Sequence, residues 1–262
     1  MQSAPLQSLA GLKILITRPA GGSQVFSEKL RRLGATTIEL PTIEIVPARS
    51  KTMLDQSIRN ISNYEWVIFT SVNGVVFFID RMRQLGEAMD ALRRVKIAAI
   101  GPATAAYVEK SAKKPDYMPK EFLSEEIAKG LGDVKGKRIL LPRADIASRK
   151  LPTILTENGA TVDEVTTYET VIPQDLSLNR LQSVLGQGVD LITFTSPSTV
   201  RNLAQVAGPT GLEALIKNAK VACIGPVTAD AAKALGVHVD IVASNHSVDH
   251  LVEAIVNEIR NV

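Results

Sequence analysis

The amino-acid sequence predicts an α/β protein made of two similar domains, each a parallel β-sheet covered by helices, and three observations point there. Short apolar runs alternate with helical patterns, as buried parallel strands and their crossovers do. The same runs return at a fixed distance along the chain, the mark of an internal duplication. The 262 residues are 45% hydrophobic and 22% charged, which suffices for one large or two small cores.

Taken in order, the first ten residues carry neither a basic n-region nor a long apolar stretch, so 1–10 reads as a flexible leader and not as a secretory signal. Strands are predicted at Ile14–Thr17, Trp66–Thr70, Ile97–Ile100, Ile139–Leu141, Leu191–Thr195 and Val221–Ile224, each apolar and β-rich. The clearest helix carries Val248, Leu251, Val252, Ile255, Val256 and Ile259 on one face, with Ser247 placed to cap it. The stretches 41–47 and 166–173 are β-branched and bounded by proline, and they read as connectors.

The duplication is explicit. Gly11-Leu-Lys-Ile-Leu-Ile-Thr-Arg18 returns as Gly136-Lys-Arg-Ile-Leu-Leu-Pro-Arg143, a shift of 125 (136 − 11), and Gly34-Ala-Thr36 returns as Gly159-Ala-Thr161 at the same shift. Phe69-Thr-Ser71 matches Phe194-Thr-Ser196 at that shift too, and Ile100-Gly-Pro-Ala-Thr104 matches Ile224-Gly-Pro-Val-Thr228 at 124 (224 − 100). The order of the pieces leaves two arrangements open: contiguous domains, or a first piece that joins the last.

Several functions are excluded or disfavoured. Aromatic residues make up only 4%, too few for base-stacking platforms, and the net charge of +3 is spread without a basic cluster, so no nucleic-acid partner is expected. No apolar segment approaches bilayer length, so no membrane partner is expected either. The single cysteine, Cys223, lies in an apolar run and reads as a buried hydrophobe; with no disulfide possible, a cytoplasmic location is the default. Neither a dinucleotide fingerprint nor a phosphate-binding P-loop occurs. His246 and His250 straddle the cap residue Ser247, and His238 sits in a polar approach to a strand, so no metal is expected.

Ligands of open parallel sheets bind beyond the carboxyl ends of the strands, and the repeated motifs fall there. Ser71, and Ser196 with Ser198, follow strands and open helices, as do Gly101 with Thr104 and Gly225 with Thr228. Amide hydrogens at a helix start, with hydroxyls beside them, suit anions. The same residues are also good turn and cap chemistry, and both readings stay open. Arg18 and Arg143 end matched strands, where a guanidinium could hold a carboxylate or simply pair on the surface. Tyr168, in the second connector, stands where the first copy has Ile43, and serves either as a proton or hydrogen-bond donor or as packing. Ser124 and Ser247 begin matched helices and are further candidates.

These pieces resemble the uroporphyrinogen-III synthases: the opening Ile14-Leu-Ile-Thr-Arg-Pro19, the paired Phe-Thr-Ser and Ile-Gly-Pro-x-Thr motifs, and the connector Val165-Thr-Thr-Tyr168-Glu-Thr-Val-Ile-Pro173. The resemblance implies two flavodoxin-like parallel-sheet domains joined by a two-stranded β connector, one domain formed by 11–42 with 171–262 and an inserted one by 45–168. It implies cyclisation of the linear tetrapyrrole hydroxymethylbilane to uroporphyrinogen III with inversion of ring D, by a cytoplasmic monomer that needs no cofactor. A transient contact with the preceding pathway enzyme goes with that reading, and the two lobes are expected to close on ligand. Tyr168 would assist departure of the hydroxyl. Arg18, Ser71, Gly101, Thr104, Ser124, Arg143, Ser196, Ser198, Gly225, Thr228 and Ser247 would bind substrate. The rival expectation is a non-catalytic two-lobed binder of an anionic small molecule.

Overall fold

A computed structural model describes residues 8–260, and the chain divides into two compact units, one of Met1–Glu44 with Val171–Val262 and a second of Ile45–Thr170. The strands are β1 (Lys13–Ile16), β2 (Thr36–Glu39), β3 (Glu44–Pro47), β4 (Trp66–Phe69), β5 (Lys96–Ala99), β6 (Arg138–Ala144), β7 (Thr161–Val171), β8 (Leu191–Phe194), β9 (Lys220–Cys223) and β10 (Ile241–Val242). The helices are α1 (Ala20–Arg32), α2 (Thr52–Arg59), α3 (Val72–Gln84), α4 (Met89–Arg94), α5 (Pro102–Ser111), α6 (Ser124–Gly130), α7 (Lys150–Glu157), α8 (Leu178–Gly186), α9 (Pro197–Ile216), α10 (Pro226–Lys233) and α11 (Val248–Arg260).

The first unit holds a parallel sheet in the order β10-β9-β8-β1-β2. Strand period two explains how it is covered on both faces. Leu15, Ile192, Phe194, Val221 and Cys223 pack against α8, α9 and α10, while their neighbours Ile14, Ile16, Leu191 and Ala222 pack against α1 and α11. Each of the larger of these side chains, the leucines, isoleucines, valine and phenylalanine, contributes about 1.5–3 kcal/mol once buried. Helix α9 contains two helices in one, because Gly208 adopts φ 65° and Pro209 follows it.

The second unit holds the order β3-β7-β6-β4-β5, parallel through β7, β6, β4 and β5, and Tyr117 bridges to Ala98 beyond β5. Val67, Phe69, Ile97 and Leu140 face α2, α3, α4 and α5; Trp66, Ile68, Ala98, Ile139 and Leu141 face α6 and α7. By the duplication, β6, β7, β4 and β5 answer to β1, β2, β8 and β9, and the Tyr117 bridge stands where β10 does. The two sheets therefore share one spatial order, but the chain enters the second at a different strand. It is a circular permutation of the first.

Structure and expectation differ in a few places. The connectors expected at 41–47 and 166–173 hold β3 and the end of β7, and both strands lie in the second sheet. The leader falls in part on 1–7, outside the described residues. Leu9, however, is fully buried and its N–H donates to Leu33 O at 2.8 Å, so the fixed structure begins before Gly11. Among the described residues, no helix is long and apolar enough to cross a membrane.

Candidate active site

In the second unit, five of the expected residues, Ser71, Gly101, Thr104, Arg143 and Tyr168, lie toward the carboxyl ends of β4, β5 and β6 and on β7. Ser71 leaves β4 in extended conformation and caps α3, its Oγ accepting from Gly74 N at 3.0 Å. A hydroxyl at this position replaces an acceptor that the first helical turn lacks. The same Oγ lies 3.1 Å from Tyr168 Oη, hydrogen bonded to it.

Tyr168 reaches Ser71 because β7 bulges. Arg143 pairs with Thr166 but Ala144 pairs with Tyr168, so Thr167 is the extra residue that re-aims the strand. The Tyr168 side chain is buried, and its ring stacks on Phe77 of α3, centroids 5.7 Å apart and planes 24° apart. Gly74 sits at a close approach: a Cβ there would stand 3.1 Å from Pro142 O, tighter than an ordinary contact.

Arg143 is buried, donating Nη1 to Glu164 Oε2 at 2.9 Å and Nη2 to Ser148 O, with Nε buried and unpartnered. Burial lowers its pKa from the ordinary arginine value, opposed by the charge of Glu164. Gly101 caps α5 with Pro102 behind it, Thr104 is buried in that first turn, and Phe122 covers Gly101, 3.4 Å from where a Cβ would sit. Ser124 begins α6, but the cap position belongs to Leu123. Ser124 is thus not the counterpart of Ser247, because the 124-residue shift (247 − 123) aligns Ser247 with Leu123.

In the first unit the matched turns differ in detail. Ser196 caps α9 through a reciprocal box: its Oγ accepts from Thr199 N at 3.3 Å, and Thr199 Oγ1 accepts from Ser196 N at 3.4 Å. Ser198 is partly buried in that turn. Gly225 caps α10 ahead of Pro226, Thr228 is buried, and a Cβ on Gly225 would collide with the His246 ring. Arg18 lies beyond the end of β1, partly buried, with Nε buried and unpartnered and its pKa lowered by burial. Ser247 precedes α11 and accepts from His250 N at 3.3 Å, while His250 Nδ1 lies 2.6 Å from its Oγ.

Chemically, each unit offers glycine, hydroxyl and amide groups at helix starts, which suit carboxylates more than they suit acid-base work. The exception is the phenol of Tyr168. Cys223 is no nucleophile, since burial pushes its thiol up to about 12. Among the described residues no three His, Cys, Asp or Glu side chains gather to hold a metal. The sequence reading missed Phe77 and the rings of Phe122 and His246. Their signal lay in the duplication itself, since Phe122 and His246 occupy matched positions and Phe77 answers to Asn202.

The fold and these turns define a duplicated, doubly wound α/β protein. The chain belongs to the uroporphyrinogen-III synthase HemD family, whose model matches residues 24–253. It is 35% identical over 254 residues to the uroporphyrinogen-III synthase of Synechococcus elongatus, covering 95% of this chain and 96% of the relative. It is 28% identical to that of Chlorobaculum parvum over 87% of this chain and 92% of the relative. The fold is similar to that of the uroporphyrinogen III synthase of Thermus thermophilus, crystallised as a mutant, with a TM-score of 0.69 at 18% identity, covering 96% of this chain and 100% of the other. The uroporphyrinogen-III synthetase of Helicobacter pylori gives 0.66 at 20%, covering 94% and 99%.

Proposed function

We propose that this chain is a uroporphyrinogen-III synthase, closing hydroxymethylbilane to uroporphyrinogen III with inversion of ring D and loss of water. Kinship along nearly the whole chain carries the reading: the relative in Synechococcus elongatus aligns with 95% of it. The sparse site suits this chemistry. Electron release from a pyrrole nitrogen expels the hydroxyl of the hydroxymethyl group, and the resulting azafulvenium is attacked by the substituted carbon of ring D to give a spiro intermediate. The substrate is already reactive, so the protein has to hold one folded conformation and stabilise charge where it develops.

Tyr168 is the residue assigned to the leaving hydroxyl. Its Oη donates a proton to the departing oxygen, which leaves as water, and Ser71, 3.1 Å away, supports the phenol. Ser196, Ser198, Ser247, Thr104, Thr228, Ser124 and the backbone N–H groups of Ala103 and Val227, next after the prolines that follow Gly101 and Gly225, receive the acetate and propionate groups, with the unpartnered Nε atoms of Arg18 and Arg143 as further donors. The enzyme works in the cytoplasm as a monomer, meeting the enzyme that supplies hydroxymethylbilane only transiently.

The test is chromatographic separation of the type I and type III isomers after the protein meets freshly made hydroxymethylbilane. Excess type III supports the reading; the type I product alone, as in the absence of protein, overturns it. A protein that merely clamps an anion binds without this change. Tyr168→Phe is expected to lower kcat by roughly 10²-fold or more, the usual scale of a lost proton donor, with the fold intact. Unchanged kinetics would remove the residue from the mechanism.

A further inference from the structure

We propose that Phe77 is a positioning residue: by stacking on Tyr168 it fixes the phenol ring so that Oη stays on Ser71. The proposal rests on the assignment of Tyr168 just made and deepens it. Phe77 lies on α3, partly buried, and is not a member of the apolar clusters that hold that helix to its sheet. Its ring instead lies against Tyr168, nearly parallel to it. Helix α3 therefore touches Tyr168 twice, through the hydroxyl of its cap residue and through a ring farther along. One contact sets where the phenol oxygen is, and the other sets how the ring is turned.

The duplicated unit supplies the control. At the positions matched to Tyr168 and Phe77, 125 residues away (168 − 43; 202 − 77), the first unit has Ile43 and Asn202. There Asn202 Nδ2 donates to Thr42 O at 2.8 Å and Ile43 is buried. The matched segment, which in the first unit lies past the end of β2, and the matched helix thus meet without any ring pair, and both members of the pair differ together. A requirement of the fold would be felt in both copies. What the second unit has in addition is a phenol whose direction matters.

The experiment uses the full chain with tyrosine labelled at the ring carbon that bears the hydroxyl. The sequence has four tyrosines, and the Tyr168 signal is the one lost in Tyr168→Phe. In Phe77→Leu and Phe77→Met that signal is expected to shift or broaden while the other three stay; Phe77→Trp, which keeps a ring without adding a labelled tyrosine, restores it. With hydroxymethylbilane, Phe77→Leu is expected to lower kcat roughly 3- to 10-fold at little change in KM, the scale of one aromatic contact. In the Tyr168→Phe background the same change should cost nothing further.

An unmoved Tyr168 signal in Phe77→Leu overturns the positioning role. So does a loss in kcat that multiplies with that of Tyr168→Phe. Normal turnover by Tyr168→Phe is a different failure: it removes the mechanism on which the proposal rests, whatever the signal does.

Discussion

Two copies of one turn have been put to different uses in the two units. After β8, Ser196 and Thr199 cap each other reciprocally, a closed arrangement in which both hydroxyls are engaged with the local backbone. After β4, the residue matched to Thr199 is Gly74, so Ser71 has no hydroxyl partner in the turn and reaches Tyr168 instead. The arginines diverge in the opposite sense: Arg143 is tied to Glu164 and Ser148, whereas the buried Nε of Arg18 has no partner and its guanidinium makes no ion pair among the described residues. Duplication preserved the frame, and single side chains decided which turn is closed on itself and which one reaches the phenol of Tyr168.

The largest effect on this contrast should come from the arginines. Arg143→Met leaves Glu164 with only Arg149, 3.5 Å away and itself exposed, and is expected to destabilise by about 2–4 kcal/mol, near the scale for breaking a buried pair. Arg18→Met breaks no ion pair among the described residues and is expected to cost less than about 1 kcal/mol. Chemical denaturation of the two variants checks the difference. Equal losses would mean that Arg18 has a structural role as large as that of Arg143.

The caps come next. Gly74→Thr imports the first unit's sequence into the second, but its Cβ meets Pro142 O, a backbone atom that has little room to yield, and a loss of about 1–3 kcal/mol is expected. The reverse change, Thr199→Gly, opens the reciprocal box and adds a helical glycine, for about 1–2 kcal/mol. Thermal unfolding of the pair tests this. A stabilised Gly74→Thr would show that the glycine is not demanded by space.

How much of this was legible in the sequence depends on the range of the interaction. The strands β1, β4, β5, β8 and β9 announced themselves within a residue, because strands buried on both faces are apolar without interruption. The Ser247 cap was readable from its place before an apolar helical stripe. β7 was legible only as a connector over 166–173, because its first half carries the adjacent charges Asp163 and Glu164, which give no buried-strand signal. The bulge at Thr167 depends on how β7 pairs with β6 (Ala144 with Tyr168, 168 − 144 = 24), and the meeting of Tyr168 with Ser71 and Phe77 joins residues 97 and 91 positions apart (168 − 71; 168 − 77), so no local pattern encodes them. Ser124 begins α6 as expected, but it lies one residue inside the helix where Ser247 lies before its own, because Leu123 fills the cap.

The smallest effect expected concerns acid. In the second unit, Arg81 of α3 donates Nε and Nη2 to the two oxygens of Asp55 on α2, at 2.7 and 2.6 Å, with both side chains mostly buried. Those bonds hold the Asp55 carboxyl below its ordinary value of 3.8, against the opposing effect of burial. The matched positions in the first unit are Arg180 and Val206, and Val206 packs against the apolar cluster. A depressed carboxyl contributes stability that is complete above its unfolded value and is lost as pH falls through the folded one. Asp116 is lowered as well, by Lys113 and the Ile97 amide in spite of desolvation, and it too lies in the second unit. Acidification from neutrality to below 3.8 should therefore weaken amide protection in α2 and α3 before α8 and α9, and Asp55→Asn should flatten that pH dependence while lowering protection at neutral pH. Hydrogen exchange resolved by residue measures both. Protection lost first from α8 and α9 would mean that acid stability is governed by groups other than the Asp55–Arg81 pair.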